Sequence, residues 1–204
     1  MSLLSVPKSF VSLVFAGLIS LMFFSACGQP ADDREILEKS IGLFQRFQDK
    51  LKEELLAAIA AGGPAGAIET CRMVSPRIEN EMGEEHALIR FLRVSDRFRN
   101  PAHAPDAFET RVLEDWQTEL ARARQDGRSD FVPEPVIEHS SEGVRVMAPI
   151  VIQGALCLQC HGQAEQIAPE TRDRLRELYP DDRAVGYAVG DLRGAFSAIW
   201  ADRR

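Results

Sequence analysis

The sequence lacks several features that would place it in a familiar class of proteins. It has no internal repeat, no low-complexity segment and no basic stripe, which argues against a solenoid, a disordered chain and a nucleic-acid-binding surface. The net charge of −7 agrees with the last exclusion. No Ser/His/Asp set or paired-carboxylate motif stands out, so we predict no enzyme activity. The remaining composition, 45% apolar and 27% charged residues, is typical of a globular domain with a real core.

One long apolar run covers residues 10–24, behind the basic Lys8, and is typical of an export signal. Two small residues and then Cys27 follow it, an order that resembles a bacterial lipobox. We therefore expect residues 1–26 to be a lipoprotein-type signal peptide and Cys27 to be the lipidated anchor to a bacterial membrane. A plain secretory signal and an uncleaved membrane anchor are the alternatives. All three place the mature chain outside the cytoplasm, on the periplasmic side.

The cysteines do not suggest a disulfide framework, because two of them lie in the segment Cys157-Leu158-Gln159-Cys160-His161. This C-x-x-C-H pattern attaches c-type haem: two thiols at this spacing reach the vinyl groups on one porphyrin edge, and the next residue presents its imidazole to the iron. A second C-x-x-C that would complete a zinc site is missing, and a thioredoxin-like motif would lie earlier in the chain. Haem c is also attached outside the cytoplasm. We predict one covalent haem c on Cys157 and Cys160, with His161 as an iron ligand.

Cys71 has no partner once the other cysteines are assigned to lipid and haem. The residues alone leave two interpretations open: a buried small hydrophobic residue, or a thiolate as the second axial ligand of the iron. A disulfide between two chains through this thiol would compete with ligation. Rival ligands are less suited, because their surroundings indicate an exposed face or a strand core; they are Met73, Met147, His86 and His139.

Hydrophobic periodicity predicts a mixture of helices and strands in residues 34–204. We expect these residues to form a single c-type haem domain, which follows a tether over 27–33. A long helix over 34–61 should end at the Gly62-Gly63-Pro64 segment, and a second helix through Cys71 should stop near Pro76. Further helices are expected at 106–125, at 169–178 and around Ile199 and Trp200, and strands at 87–95, 132–139, 144–152 and 184–192. The predicted class is α+β, a small antiparallel sheet surrounded by helices and preceded by a long N-terminal helix.

Four segments stand in a fixed order: Ala-Ile-Glu-Thr-Cys at 67–71, Arg-Val-Ser-Asp-Arg-Phe-Arg-Asn-Pro at 93–101, Cys-Leu-Gln-Cys-His-Gly at 157–162, and Tyr-Pro-Asp-Asp-Arg-Ala-Val-Gly-Tyr at 179–187 with Gly-Asp-Leu-Arg-Gly at 190–194. The chain thereby resembles a family of exported single-haem c-type domains, found free-standing and as the sensor part of bacterial signalling proteins. The resemblance implies a PAS-like fold and His/Cys axial ligation with Cys71 as the sixth ligand. His103 departs from the family, which usually has Asn there. It could be a rival iron ligand or a propionate partner, but we expect a surface or hydrogen-bonding role.

His/Cys ligation would give the haem a low reduction potential and leave the iron no open site for a substrate. We therefore expect a redox- or gas-responsive sensor. The alternatives are a low-potential electron-transfer cytochrome c and a haem-containing subunit of an envelope complex. No output domain is expected, so signalling would need a partner protein. Three arginines are candidate partners of the haem propionates, because guanidinium groups pair with carboxylates; they are Arg93, Arg97 and Arg99, and the alternative is a solvated basic edge.

Overall fold

Residues 32–201 are described by a computed structural model of the chain. The predicted signal peptide, the lipidation residue Cys27 and most of the 27–33 tether lie outside the described residues. In the described part of the chain, no helix combines the length and the apolar character needed to cross a membrane.

The first element, α1 (Asp33–Glu85), is a helical hairpin rather than a straight rod. Its helical geometry is interrupted at Gly62 and at Gly63, whose φ of +66° favours glycine. Residues 33–61 form the first limb and residues 64–85 the second limb. Three ion pairs join the limbs: Arg46–Glu85 at 3.5 Å, Lys50–Glu81 at 3.8 Å and Glu54–Arg77 at 3.3 Å. Because the residue numbers rise along one limb as they fall along the other, the two limbs run antiparallel. The break that the sequence predicts at Gly62-Gly63 is confirmed.

The predicted end of the second helix near Pro76 is wrong. Pro76 lies inside the second limb, which continues for nine more residues to Glu85. A proline removes one helical hydrogen bond, yet tertiary packing outweighs this local preference. Ile78 and Met82, in the turns that follow Pro76, are each only 1% exposed and pack into the main core.

The sheet contains four antiparallel strands in the order β1-β4-β3-β2. They are β1 (Leu88–Val94), β2 (Val136–Ser140), β3 (Gly143–Val151) and β4 (Leu192–Trp200). Three of them confirm predicted strands, although β2 starts later than expected, after Pro133 and Pro135. Proline has no N–H to contribute to a strand ladder, so pairing begins only beyond them.

The last strand was predicted in the wrong place. Residues 184–191 form an irregular loop with positive φ at Gly186 and Gly190, and the residues expected to form a short tail helix form β4 instead. Because β4 lies between β1 and β3 and is covered on both faces, its residues are apolar almost without alternation. Periodicity does not separate such a buried strand from a helix.

Helices cover both faces of the sheet. Four phenylalanines join α1 to one face, with Phe44 stacked on Phe196 at 4.9 Å between ring centroids. On the other face, α2 (Ala107–Gln125) buries Leu113 and Trp116 against β1, β3 and β4. Two shorter helices, α3 (Ala155–His161) and α4 (Pro169–Leu178), lie between β3 and β4 in the sequence. The predicted α+β class is confirmed, with its antiparallel sheet, surrounding helices and long N-terminal helix.

Candidate functional site

A cleft opens where the hairpin, α3 and the loop after β1 meet. Its empty space, with the open mouth included, is about 1120 Å³. Part of its lining is apolar, contributed by Leu51, Leu55, Ile59, Ile68, Ile150 and Leu156. Another part is strongly polar and contains Ser75, Arg93, Arg99, His103 and Arg193. Such a mixed lining suits a large ligand that is apolar over most of its surface and carries anionic groups.

The helix α3 presents Cys157, Cys160 and His161 to this cleft. The three residues lie within one to two helical turns, as the C-x-x-C-H spacing requires. Both thiols are half-buried and free. Burial raises the pKa of the Cys160 thiol, and the nearby Arg99 guanidinium opposes this rise. Gly162 ends the helix tightly, since a Cβ there would lie 2.6 Å from the Leu158 carbonyl oxygen.

His161 is oriented by a hydrogen bond through one ring nitrogen. Nδ1 lies 2.7 Å from the Ala184 carbonyl oxygen, so it must carry the proton and donate it. Nε2 is then the acceptor nitrogen, the tautomer that a metal-binding imidazole needs. Burial, together with the positive charges of Arg193 and Arg99, holds the pKa of His161 well below its usual value. The imidazole is therefore neutral at physiological pH and able to bind a metal.

Cys71 reaches the same cleft from the second limb, far from α3 in sequence. Burial raises the pKa of its thiol, while the guanidinium groups of Arg93 and Arg99 act in the opposite direction. The four rival ligands do not line the cleft. Met73 is 63% exposed and Met147 is buried between the sheet and α2, whereas His86 and His139 make polar contacts elsewhere, with Arg46 and Asp33.

The three arginines singled out from the sequence have different surroundings. Arg93 lines the cleft and pairs through Nε with Glu79 at 3.2 Å. Arg99 also lines it, pairs with Asp182 at 3.1 Å and donates to the Cys160 carbonyl oxygen at 2.6 Å. Arg97 does not line the cleft; it donates to the Val185 carbonyl oxygen and lies over the ring of Tyr187.

His103 lines the cleft but is already engaged. Its Nε2 lies 3.1 Å from a Glu79 carboxylate oxygen, and the backbone N–H of Ser95 donates to its carbonyl oxygen at 3.0 Å. This is the hydrogen-bonding role expected from the sequence. Burial alone would raise the pKa of Glu79, but the hydrogen bonds and positive charges of His103 and Arg93 outweigh it and lower that pKa.

Two residues with a part in the site were missed at the sequence level: Arg193, which lines the cleft, and Glu79, which lies behind it. Glu79 joins Arg93 and His103, and Arg193 enters the cleft from the start of β4. Arg193 lies in the Gly-Asp-Leu-Arg-Gly segment at 190–194, which was a signal for its importance. Within residues 32–201, no three His, Cys, Asp or Glu side chains form a group that could hold a bare metal ion. A haem iron needs only axial ligands from the protein, since the porphyrin supplies four nitrogens.

Comparison with known proteins gives one family and one solved structure. The profile of the Tll0287-like family matches residues 30–200. The fold is similar to that in the crystal structure of the cyanobacterial haem protein Tll0287, with a TM-score of 0.56 and 23% identity over 80% of this chain and 95% of that chain. No curated protein shows significant similarity to the chain.

Proposed function

This chain belongs to the Tll0287-like family, and from that premise we propose that it is a protein carrying one covalent haem c and acting as a redox- or gas-responsive sensor. The resemblance found in the four sequence segments is thereby confirmed at the level of the family. The proposal for this chain includes thioether bonds from Cys157 and Cys160, with His161 and Cys71 as axial ligands. It also includes export and membrane attachment through Cys27, and it assigns the protein no enzymatic reaction.

The observation that carries the proposal is the convergence of Cys71 with the C-x-x-C-H helix in one cleft. The residues present fit a haem in three respects. His161 has the tautomer that leaves Nε2 free, apolar side chains from the hairpin can cover a macrocycle, and guanidinium groups can face its carboxylates. When bound, the haem would supply a one-electron iron couple whose potential a thiolate ligand lowers.

A sensor also needs an element whose arrangement changes with the signal, and we propose the second limb for this role. Cys71 lies on this limb, which continues from the first limb through the break at Gly62 and Gly63. Ion pairs whose side chains are about half exposed also join the two limbs. If Cys71 leaves the iron on reduction or on binding of a small gas, the second limb loses one of its attachments to the cleft. An electron carrier would instead keep both axial ligands in both oxidation states, so ligand exchange separates the sensor from the runner-up.

The test begins with the holoprotein, expressed with haem c maturation, in the wild type and in Cys71→Ala. We expect a low-spin ferric thiolate signature by optical spectroscopy and EPR in the wild type and its loss in Cys71→Ala. Met73→Ala is the matched control, because this second sulfur lies on the same limb but is 63% exposed. Mass spectrometry of the intact chain checks the covalent haem.

The outcomes separate the alternatives. An unchanged spectrum in Cys71→Ala would overturn His/Cys ligation. A thiolate signature that persists without ligand exchange in the ferrous state and under CO or NO would favour the low-potential electron carrier. A wild-type mass without haem would contradict the proposed cofactor itself.

A further inference from the structure

The guanidinium groups of the cleft are not equivalent. Among the described residues, four arginines line the cleft: Arg72, which is exposed to solvent, and Arg93, Arg99 and Arg193, which are partly buried. Arg93 and Arg99 form ion pairs with the carboxylates of Glu79 and Asp182, so each is locally neutralised. Within residues 32–201, Arg193 forms no ion pair, and its Nε is buried without a hydrogen-bond partner. It thus contributes an uncompensated positive charge to the cleft.

Such a charge is costly, because a buried ion without a counter-ion loses its hydration and gains little in return. Burial lowers the pKa of Arg193 to about 10, and the side chain is partly buried where it lines the cleft. The hydrogen bond it does make, from Nη1 to the Arg97 carbonyl oxygen, is long at 3.3 Å. Among the described residues, the terminal Nη2 of Arg193 has no hydrogen-bond partner and is left for a ligand.

The position of Arg193 is nevertheless fixed. Its guanidinium lies 5.6 Å from the ring centroid of Tyr187, which is itself only 1% exposed. The following residue, Gly194, has a φ of +152° and lies so close to the Val94 carbonyl oxygen that a Cβ would clash with it. The backbone at the start of β4 is therefore held against β1. A side chain held in this way is suited to bind an anion without first being ordered.

We propose that Arg193 is the carboxylate-binding residue of the cleft and that the carboxylate it takes is a propionate of the haem. The inference rests on the proposed function and refines it, since it selects Arg193 over Arg93, Arg97 and Arg99. A guanidinium presents paired donors that match a carboxylate in bidentate fashion. One propionate bound at the terminal Nη atoms would neutralise the excess charge in a single contact.

The pairing has a consequence for the iron. A propionate whose charge is no longer balanced by Arg193 stabilises the more positive ferric state. Arg193→Gln should therefore lower the midpoint potential of the haem. The midpoint potential should also change with pH over a higher pH range than in the wild type. The reason is that a carboxylate without its cation binds a proton more readily.

The experiment compares holoproteins of the wild type, Arg193→Gln, Arg193→Lys and the control Arg128→Gln, whose side chain is 51% exposed and pairs with Asp126. The measurements are the intact mass, the midpoint potential by spectroelectrochemistry and the propionate bending band by resonance Raman. We expect a lower potential and a shifted band in Arg193→Gln, and no change in Arg128→Gln. Arg193→Lys should recover most of the potential but not the band, since an ammonium group lacks the paired donors.

A covalent haem with unchanged potential and unchanged band in Arg193→Gln would overturn the assignment while leaving the proposed function intact. If Arg193→Gln does not fold, Arg193→Lys decides, and an unshifted propionate band in that variant overturns the assignment. A wild-type chain without covalent haem would overturn the proposed function, and with it the haem propionate as the ligand of Arg193.

Discussion

Glu79 is the side chain on which two cleft residues depend, although it carries no ligand in our proposal. One oxygen of its carboxylate pairs with Arg93 and the other contacts the ring of His103, and the side chain is 7% exposed. Glu79→Gln should cost about 2 kcal/mol in the free energy of unfolding, because it weakens charge-assisted hydrogen bonds and leaves the partly buried Arg93 guanidinium without its counter-ion. Glu81→Gln is the control; Glu81 is 42% exposed, and its ion pairs should contribute less than about 1 kcal/mol. Urea unfolding at neutral pH measures both.

The pH dependence of the same variant has a definite sign. Since the pKa of Glu79 is lower in the folded chain, its carboxylate stabilises the fold above the ordinary glutamate range and loses this effect as the pH falls through the folded pKa. The stability difference between wild type and Glu79→Gln should therefore shrink below about pH 4. A difference that stays constant down to pH 2 would contradict the role of the ionised carboxylate.

What could be predicted about the site depended on how far apart its residues lie in sequence. The haem-attachment motif could be predicted because its residues lie within five consecutive positions; they are Cys157, Cys160 and His161. Cys71 could not be separated from a core residue by its own surroundings and needed the family resemblance. Arg193 was missed because its significance is that it has no carboxylate partner among residues 32–201, a property that arises only when β4, the loop after β1 and α3 are brought together.

At the scale of elements, the turn of the hairpin depends on one backbone conformation. Gly63 has φ +66° and ψ −177°, a region that is essentially restricted to glycine. Gly63→Ala should destabilise the fold by about 1–3 kcal/mol. Gly66→Ala, three residues later, is the matched control: its Cβ would meet nothing within 4 Å, and alanine favours the helix by up to about 1 kcal/mol. Thermal unfolding of the two variants should shift in opposite directions; equal shifts would contradict the hairpin turn.

The elements that the sequence predicted well are those with a strong local signal. The helix α2 starts at the capping box of Asp106 and Glu109, and α4 starts with a proline at its first position, so both lie within a residue of the prediction. The failures at Pro76 and β4 share one cause. In each case burial against the rest of the fold overrides a local preference, for helix termination at Pro76 and for helix over strand at β4.

At the scale of the whole molecule, the sheet separates two layers that should respond differently to the haem site. The hairpin carries Cys71 and covers one face, whereas α2 covers the other face with Trp116. We predict that in holoprotein carrying Cys71→Ala, amides in 64–85 exchange hydrogen on the order of ten times faster, the equivalent of about 1.4 kcal/mol. Amides of α2 should be unaffected and act as the internal control. Equal acceleration in both layers would indicate general destabilisation instead of a released second limb.

The placement of β4 between β1 and β3 also sets an order of events during biogenesis. A chain exported N-terminus first, as proposed here, presents Cys157 and Cys160 outside the cytoplasm before β4 has emerged to pair with β1 and β3, so these thiols first appear on a molecule whose sheet is still open. Strand pairing between distant segments is slow to form. If haem is attached to both thiols as we propose, the interval between the emergence of α3 and closure by β4 would be the period in which a bulky cofactor and an attaching enzyme have the freest access to them.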